Sequence, residues 1–169
     1  LTTFHAAHHL RPGMPAEELR TRLGIDPAQL GPLLEAWSPQ IAVRGPVVAI
    51  ASFTPTPTPA ERSAADAFLD ALQASPAAPP SPNGLDGALL AFLVDSGAVV
   101  DAGDGIVFDT VSFGHMRDRI VAHVEQHGAI TLAEARDLLG TSRRYVQSIL
   151  EYLDRARITV RRGNQRQLR

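Results

Sequence analysis

The feature that most constrains this fold is a strand–turn–strand pattern that occurs three times at nearly equal spacing. In each copy two short runs of apolar or β-branched residues flank a tight turn, and the turn glycines are Gly45, Gly105 and Gly163. Glycine, asparagine and aspartate at such tips supply the positive φ angles that a short hairpin needs. The glycines are 60 and 58 residues apart, which is the size of one small domain per repeat. The predicted hairpins span residues 41–50, 99–108 and 158–168.

The first two helices of the last repeat have a clear pattern. Apolar residues within 116–127 lie on one helical face, and Gly128 follows where that helix would end. Thr131 and Glu134 then have the spacing of a capping box, in which a hydroxyl and a carboxylate satisfy free backbone N–H groups. We therefore predict a short second helix that begins after Thr131 and ends at Gly140.

A third helix is predicted after Ser142, which stands at the N-cap position. Its inward face has helical spacing and consists of Val146, Ile149, Leu150 and Leu153. A helix, a capped short helix, a tight turn, a longer helix and a hairpin, in this order, indicate a helix-turn-helix with a wing. We predict tandem winged-helix modules, mainly α with small β-hairpins, in the α+β class.

The first repeat follows the same plan. Residues 15–23 predict the short helix, and Asp26 is placed to cap a third helix over residues 27–37. Trp37, the only tryptophan, ends the apolar face of that helix and is predicted to lie in the core.

The middle repeat is degenerate. Prolines within 76–82 stand where the short second helix should be, so only residues 86–95 clearly predict a helix. Before this repeat, Thr54–Pro59 alternates threonine with proline, which excludes a helix and favours an extended linker. The predicted modules are 1–54, 55–110 and 111–169.

Charge is distributed unevenly along the chain. Residues 57–110 contain one arginine and eight acidic residues, a net charge of −7, whereas residues 111–169 contain eleven arginines and six acidic residues, a net charge of +5. The overall charge of −2 conceals this separation. We expect the last module to attract a polyanion and the acidic middle module to repel one.

The arginines of the last module fall on two adjacent elements. With the apolar face of the third helix turned inward, Arg143, Arg144 and Gln147 face solvent. The predicted wing adds Arg161, Arg162 and Arg166, with Asn164 and Gln165 at its tip. Guanidinium groups suit phosphate because they are planar, bidentate donors that stay charged. The pattern predicts a nucleic-acid surface; the alternative is solvated arginines, some of them paired internally with Glu151 or Asp154.

Two tyrosines flank the buried face of the third helix. Tyr145 either stacks on an exposed base or covers the edge of a small core, and both interpretations stay open. For Tyr152 the core role is the favoured interpretation.

Two missing residue types exclude whole classes of chemistry. Without cysteine the chain has no disulfide, thiolate nucleophile or cysteine zinc site. All sixteen basic residues are arginine, which excludes a lysine-containing phosphate loop and Schiff-base chemistry. No G-x-S-x-G motif occurs, and no apolar stretch is long enough to span a bilayer. We expect a binding protein without catalytic residues, resident cofactor or membrane segment.

Histidines give the only spacing that suits metal ligands. His5, His8 and His9 stand at i, i+3 and i+4, which is one face of a helix. No cysteine or placed carboxylate completes a site, and a metal-bound histidine also needs a second partner group. We expect packing roles and no metal site here, and the same for His123 and His127.

Two parts of the sequence resemble bacterial selenocysteine-specific translation elongation factors. One is the segment His9–Arg20, and the other is the ending, where Gly140–Tyr145, Leu150–Arg155 and Thr159–Asn164 match. The resemblance spans essentially the whole chain, and the two motifs together are specific. It implies the last three of four winged-helix modules of such a factor. Because the sequence starts at Leu1 and not at methionine, we expect a piece of a longer protein.

By this resemblance, the last module binds the hairpin in selenoprotein mRNA that recodes a UGA stop codon, and the other modules act as a spacer. GTP and Mg²⁺ belong to a GTPase part that this chain lacks. The ribosome and selenocysteinyl-tRNA are partners of the full-length factor, which is expected to be cytoplasmic and monomeric. The implied RNA-contact residues are Arg143, Arg144, Tyr145, Arg161, Arg162, Gly163 and Asn164. One departure is Arg144, where the family often has lysine, so the geometry of that charged contact differs.

The geometry of RNA limits how such a module binds. The major groove of an A-form stem is too narrow and deep for a recognition helix, so the module is expected to straddle the backbone and contact bases in the loop. One alternative is a DNA-binding regulator, usually dimeric, whose third helix enters the major groove of duplex DNA. A second alternative is a tandem winged-helix scaffold for protein interactions, in which the arginine surface has no role.

Overall fold

The computed structural model describes every residue from Leu1 to Arg169, and the chain divides into two compact units. The first comprises Leu1–Arg62 and the second Ser63–Arg169. Within the second unit we call residues 63–110 the middle region and residues 111–169 the last module. These two parts belong to one compact unit, and the division into three modules stays a prediction. No helix is both long and apolar enough to cross a membrane.

The first unit has the element order of a winged helix. Its helices are α1 (Thr2–Ala7), α2 (Ala16–Leu23) and α3 (Pro27–Ala36). Its antiparallel sheet, in the order β1-β3-β2, consists of β1 (Met14–Pro15), β2 (Ile41–Arg44) and β3 (Val47–Ile50). Phe4, Leu19 and Val48 bring α1, α2 and β3 together in a small aliphatic and aromatic core.

The structure confirms the short helix, the third helix and the hairpin that the sequence predicted for this unit. Strand β1 was not predicted, because a strand of two residues is too short to show alternation. The prediction that Trp37 lies in the core is wrong. Trp37 stands at the C-cap of α3 and is 37% exposed, because this end of the helix lies at the surface, where Glu35 and Ala36 are exposed as well.

The middle region contains two helices and one hairpin. Helix α4 (Pro59–Ala74) begins at the last residue of the predicted linker, and residues 54–58 have no regular structure. The part of α4 from Ser63 onward belongs to the middle region. A loop and a short 3-10 turn (Pro82–Gly84) lead to α5 (Gly87–Asp95), β4 (Val99–Gly103) and β5 (Ile106–Asp109). The missing short helix and the helix over 86–95 are confirmed, whereas α4 was not predicted.

The last module repeats the winged-helix order. Its helices are α6 (Thr110–His127), α7 (Leu132–Leu139) and α8 (Arg143–Arg155). Its antiparallel sheet, in the order β6-β8-β7, consists of β6 (Ile130–Thr131), β7 (Thr159–Arg162) and β8 (Gln165–Leu168). The predicted capping box is confirmed, because Glu134 accepts the Thr131 N–H at 2.7 Å and Thr131 Oγ1 accepts the Glu134 N–H at 3.2 Å.

The middle region and the last module share one hydrophobic core. Ile106 and Phe108 of β5 belong to the same buried cluster as Val146 and Ile149 of α8 and Ile120 of α6. Each of these side chains is at most 3% exposed. Burial of one such side chain stabilises a fold by about 1.5–3 kcal/mol, so this cluster holds α8 firmly in place.

Candidate nucleic-acid interface

Helix α8 separates an apolar face from a basic one. Val146, Ile149, Leu150 and Leu153 are fully buried. Arg143, Arg144 and Gln147 are exposed, as predicted. The Gln147 side-chain amide donates to Glu151 at 2.9 Å, one turn further along the helix. Two of the three arginines of α8 therefore lie in its first turn, at one end of the outward face.

The first turn of α8 also lacks the side-chain cap that α7 has. Ser142 stands at the N-cap position, as the sequence predicted, but its hydroxyl accepts no hydrogen bond from the helix. The first N–H groups of a helix have no partner within the helix, and its N-terminus carries a partial positive charge. These donors lie beside Arg143 and Arg144, an arrangement that favours an anion such as phosphate.

The wing is basic as well. Arg161, Arg162, Gly163, Asn164 and Gln165 are all exposed. Consecutive strand residues point to opposite faces, so exposure of both Arg161 and Arg162 means that this end of the hairpin projects beyond the core. Gly163 has a φ of +62°, which the turn requires, and its carbonyl accepts from Arg161 Nε at 3.0 Å.

Four exposed arginines in the first turn of α8 and in the wing carry uncompensated charge. Arg143, Arg144, Arg161 and Arg162 form no salt bridge. By contrast, Arg117 of α6 is paired with Asp118 at 2.8 Å, and Arg136 of α7 is paired with Asp137 at 2.6 Å. The alternative in which Glu151 and Asp154 neutralise this surface is therefore wrong for these four side chains.

The prediction that Arg166 belongs to the exposed RNA-binding surface is wrong. Its side chain is 4% exposed, and its Nε lies 3.3 Å from an Asp154 carboxylate oxygen. Thr159 donates to the other oxygen of Asp154 at 2.6 Å. Strand alternation explains the burial: the residues on either side of Arg166 point away from the core, so its own side chain points into it. Arg166 joins β8 to the end of α8.

Tyr145 is half-buried and held by the protein itself. Its hydroxyl donates to the Pro79 carbonyl over a long 3.4 Å, and its ring meets Phe108 edge-on with centroids 6.4 Å apart. This geometry favours the core-edge interpretation over base stacking. Tyr152 has the same role, with its ring edge-on to Phe113 at 4.8 Å.

The sequence did not single out two residues of the last module that bond to the middle region. Thr141 donates its hydroxyl to the Ala77 carbonyl, and Arg155 Nη2 donates to the Ala102 carbonyl at 2.9 Å. No sequence pattern identifies these partners, because both accept through the backbone, which every residue has.

The N-terminal histidines do not share one helical face. Helix α1 ends at Ala7, so His8 and His9 lie beyond it. His5 stacks on Phe53 with ring centroids 3.7 Å apart, and its Nε2 accepts the Ile50 N–H at 3.2 Å. Burial, together with the positive N-terminus and Arg44, lowers the pKa of His5.

His9 instead joins the body of the first unit to the start of α4. Its Nε2 lies 2.9 Å from a Glu61 carboxylate oxygen that also accepts the Thr58 N–H at 2.7 Å. Hydrogen bonds from His9 and Thr58 lower the pKa of Glu61 to about 2. In the last module, His123 and His127 stack on each other with centroids 4.3 Å apart.

Comparison with known proteins gives the same architecture. Two protein-family models, both described as "Elongation factor SelB, winged helix", match the chain. The model of the second winged-helix domain matches residues 1–49, and the model of the third matches residues 122–168. No curated protein matches the chain.

Two solved structures are similar to the chain. The mRNA-binding domain of elongation factor SelB from E. coli, in complex with SECIS RNA, is 28% identical, with 51% of this chain and 74% of that chain covered and a TM-score of 0.45. The bacterial selenocysteine-specific elongation factor EF-Sec is 15% identical, with 93% of this chain covered and a TM-score of 0.53. The chain spans only 26% of that longer factor, and this likeness concerns the fold alone.

The element order and the two three-stranded sheets define a tandem winged-helix protein. More particularly, the chain belongs to the elongation factor SelB family and carries winged-helix domains of its C-terminal region.

Proposed function

We propose that the surface formed by the first turn of α8 and by the wing binds the SECIS RNA hairpin of a selenoprotein mRNA. The observation that carries this proposal is that four exposed arginines without a salt bridge stand in two adjacent pairs, one at positions 143 and 144 and the other at positions 161 and 162. An RNA backbone offers these side chains the phosphate partners that the protein itself does not. Membership of the SelB family supports SECIS RNA as the particular target.

The proposed contacts divide into two kinds. Phosphate contacts come from the four arginines and from the free N–H groups at the start of α8. Contacts to unpaired bases come from exposed amides that both donate and accept, and these are Gln147, Asn164 and Gln165. Gly163 lets the RNA approach the turn of the wing closely. Arg166 and Tyr145 are left out, because each is occupied inside the protein.

We also propose that this region does no chemistry of its own and serves a longer elongation factor. That factor would bind GTP with Mg²⁺, selenocysteinyl-tRNA and the ribosome in the cytoplasm, through parts outside this chain. The SelB winged-helix domains would then hold the mRNA hairpin near the decoding factor, with each chain acting as a monomer.

The experiment is a titration of the full chain against a labelled SECIS hairpin and against duplex DNA of equal length, followed by fluorescence anisotropy. We expect tighter binding to the hairpin. Equal or tighter binding to DNA would favour a winged-helix DNA-binding regulator, and no binding to either would favour a protein-interaction scaffold.

The variants Arg143→Ala, Arg144→Ala and Arg161→Ala test the residues. Each should weaken hairpin binding by removing about one phosphate contact, without unfolding the module. Arg117→Ala is the matched control, because it removes the same charge from a side chain that Asp118 already neutralises. Unchanged affinity in all three test variants would defeat the assignment.

A further inference from the structure

The start of α8 is fastened to the middle region by two hydrogen bonds. Thr141, in the turn before the helix, donates its hydroxyl to the Ala77 carbonyl, and Tyr145 donates to the Pro79 carbonyl at 3.4 Å. Both acceptors lie in the proline-rich loop that follows α4. This loop therefore contacts the same helical turn that presents Arg143 and Arg144.

The other end of α8 is fastened to the middle region as well. Arg155 Nη2 donates to the Ala102 carbonyl at 2.9 Å, and its guanidinium carbon lies 5.7 Å from the centre of the Tyr152 ring. Gly103, with a φ of +95°, lies next to this guanidinium group. Arg155 has no acidic partner, so its best hydrogen bond goes to the backbone of the neighbouring hairpin.

Between these two ends the buried face of α8 packs on the same hairpin. Phe108 and Ile106 of β5 lie in one core with Val146 and Ile149. A rotation of α8 about its axis, or a slide along it, would break the contacts at both ends and disturb this core. The orientation of the helix is thus set by the middle region together with the last module.

We infer that the middle region positions α8 for RNA binding, and that Thr141 and Arg155 are the positioning residues for Arg143 and Arg144. This inference rests on the proposed function. Phosphate binding requires guanidinium groups at fixed places relative to the RNA backbone, and a helix held at both ends loses less freedom when it binds. The middle region contributes this rigidity through backbone carbonyls and apolar packing, although its own net charge is negative.

The test uses the full chain and two pairs of variants. Thr141→Val and Arg155→Met remove the hydrogen bond to the middle region and keep much of the side-chain volume. We expect each to weaken hairpin binding by roughly 2- to 30-fold, the range for residues that act on a site without touching its ligand. Thr141→Ser and Arg155→Lys keep a donor and should restore most of the affinity. Ile120→Val, which removes one buried methyl group from α6, controls for a general loss of stability.

The salt dependence of binding separates positioning from direct contact. Neither Thr141→Val nor Arg155→Met should change the slope of log K against log salt. A slope shallower by about 0.7–0.9 for Arg155→Met would mean that Arg155 itself binds a phosphate, and it would overturn the positioning role. The Val146 N–H donates to the Ser142 carbonyl at 3.1 Å, and faster amide exchange at Val146 in both variants is the expected sign of a loosened helix.

The two proposals fail in different ways. If the wild-type chain binds the hairpin and both variants bind it equally well, this inference is overturned and the proposed function stands. If the wild-type chain does not bind the hairpin, the proposed function is overturned, and the inference with it.

Discussion

Helix α3 of the first unit and helix α8 of the last module occupy equivalent places, since each follows a short helix and leads into a hairpin. Their exposed side chains nevertheless differ. Helix α3 contains no basic residue, and Gly31 and Pro32 lie inside it. Helix α8 begins with two arginines and is longer by three residues, 13 against 10. The same architecture thus carries two helix surfaces of different charge, so the fold alone does not determine the charge of its exposed faces.

The two sheets extend this comparison to single positions. In the first unit Val48 pairs with Met14 on one side and Val43 on the other. In the last module the same position is Arg166, which pairs with Ile130 and Arg161. Val48 completes an apolar core, whereas Arg166 needs Asp154 nearby. Equivalent strand positions therefore contain an apolar side chain in one module and an ion pair in the other.

The largest expected effect concerns the cores under these two helices. Leu150→Ala in α8 should lower the free energy of unfolding of the second unit by about 3–5 kcal/mol, because its side chain is fully buried. Leu30→Ala in α3, where the side chain is 9% exposed, should lower the free energy of unfolding of the first unit by a smaller amount. Urea denaturation followed by amide exchange measures each unit, and Trp37 fluorescence follows the first unit alone. Equal losses of unfolding free energy in the two variants would contradict a tighter core beneath α8.

The next effect concerns the ion pair at the equivalent strand position. Asp154→Asn should destabilise the second unit by about 3 kcal/mol, because the guanidinium of Arg166 remains buried without a carboxylate. Arg166→Val, which introduces the residue found in the first unit, should cost less, since Asp154 is partly exposed and still accepts from Thr159. Both variants should keep the wild-type salt dependence of hairpin binding. A shallower slope of log K against log salt for Arg166→Val would mean that Arg166 does contact the RNA.

The smallest effect is a difference between the units in their response to acid. His5 has a lowered pKa in the folded state, so the unfolded chain takes up a proton more readily. The contribution of His5 to stability is therefore present above pH 6.5 and is lost as the pH falls below it. Denaturation between pH 5 and pH 8, followed by Trp37 fluorescence, measures this loss in the first unit.

His5→Asn supplies the control, because asparagine keeps a hydrogen-bond acceptor for the Ile50 N–H and does not titrate. The free energy of unfolding of the first unit in this variant should be nearly independent of pH over the same range. A pH dependence that survives the substitution would assign the effect to another group.

The sequence predicted the parts of this structure that depend on local pattern. The capping box at Thr131 and Glu134, the three hairpins and the outward position of Arg143 follow from spacing alone. The burial of Arg166 could also have been predicted, because alternation along β8 places its side chain on the same side as Leu168. Asp154 provides the carboxylate that a buried arginine needs.

Other features depend on contacts between distant residues. The shared core of Phe108 and Val146 joins the middle region to the last module, and nothing in either segment alone predicts it. The bonds from Thr141 and Arg155 end on backbone carbonyls, which leave no pattern in the sequence. The exposure of Trp37 depends on which part of α3 packs against the core, and the spacing of apolar residues does not show this.

The central claim is that the unpaired arginines at positions 143 and 144 of α8 and 161 and 162 of the wing bind RNA phosphates. The most direct measurement is the slope of log K against log salt for the SECIS hairpin, with the wild-type chain and with the variant that combines Arg143→Ala, Arg144→Ala, Arg161→Ala and Arg162→Ala. Loss of four phosphate contacts should make the slope shallower by about 2.8–3.6, while the far-UV circular dichroism of the folded chain is preserved. A slope equal to that of the wild-type chain would contradict the account.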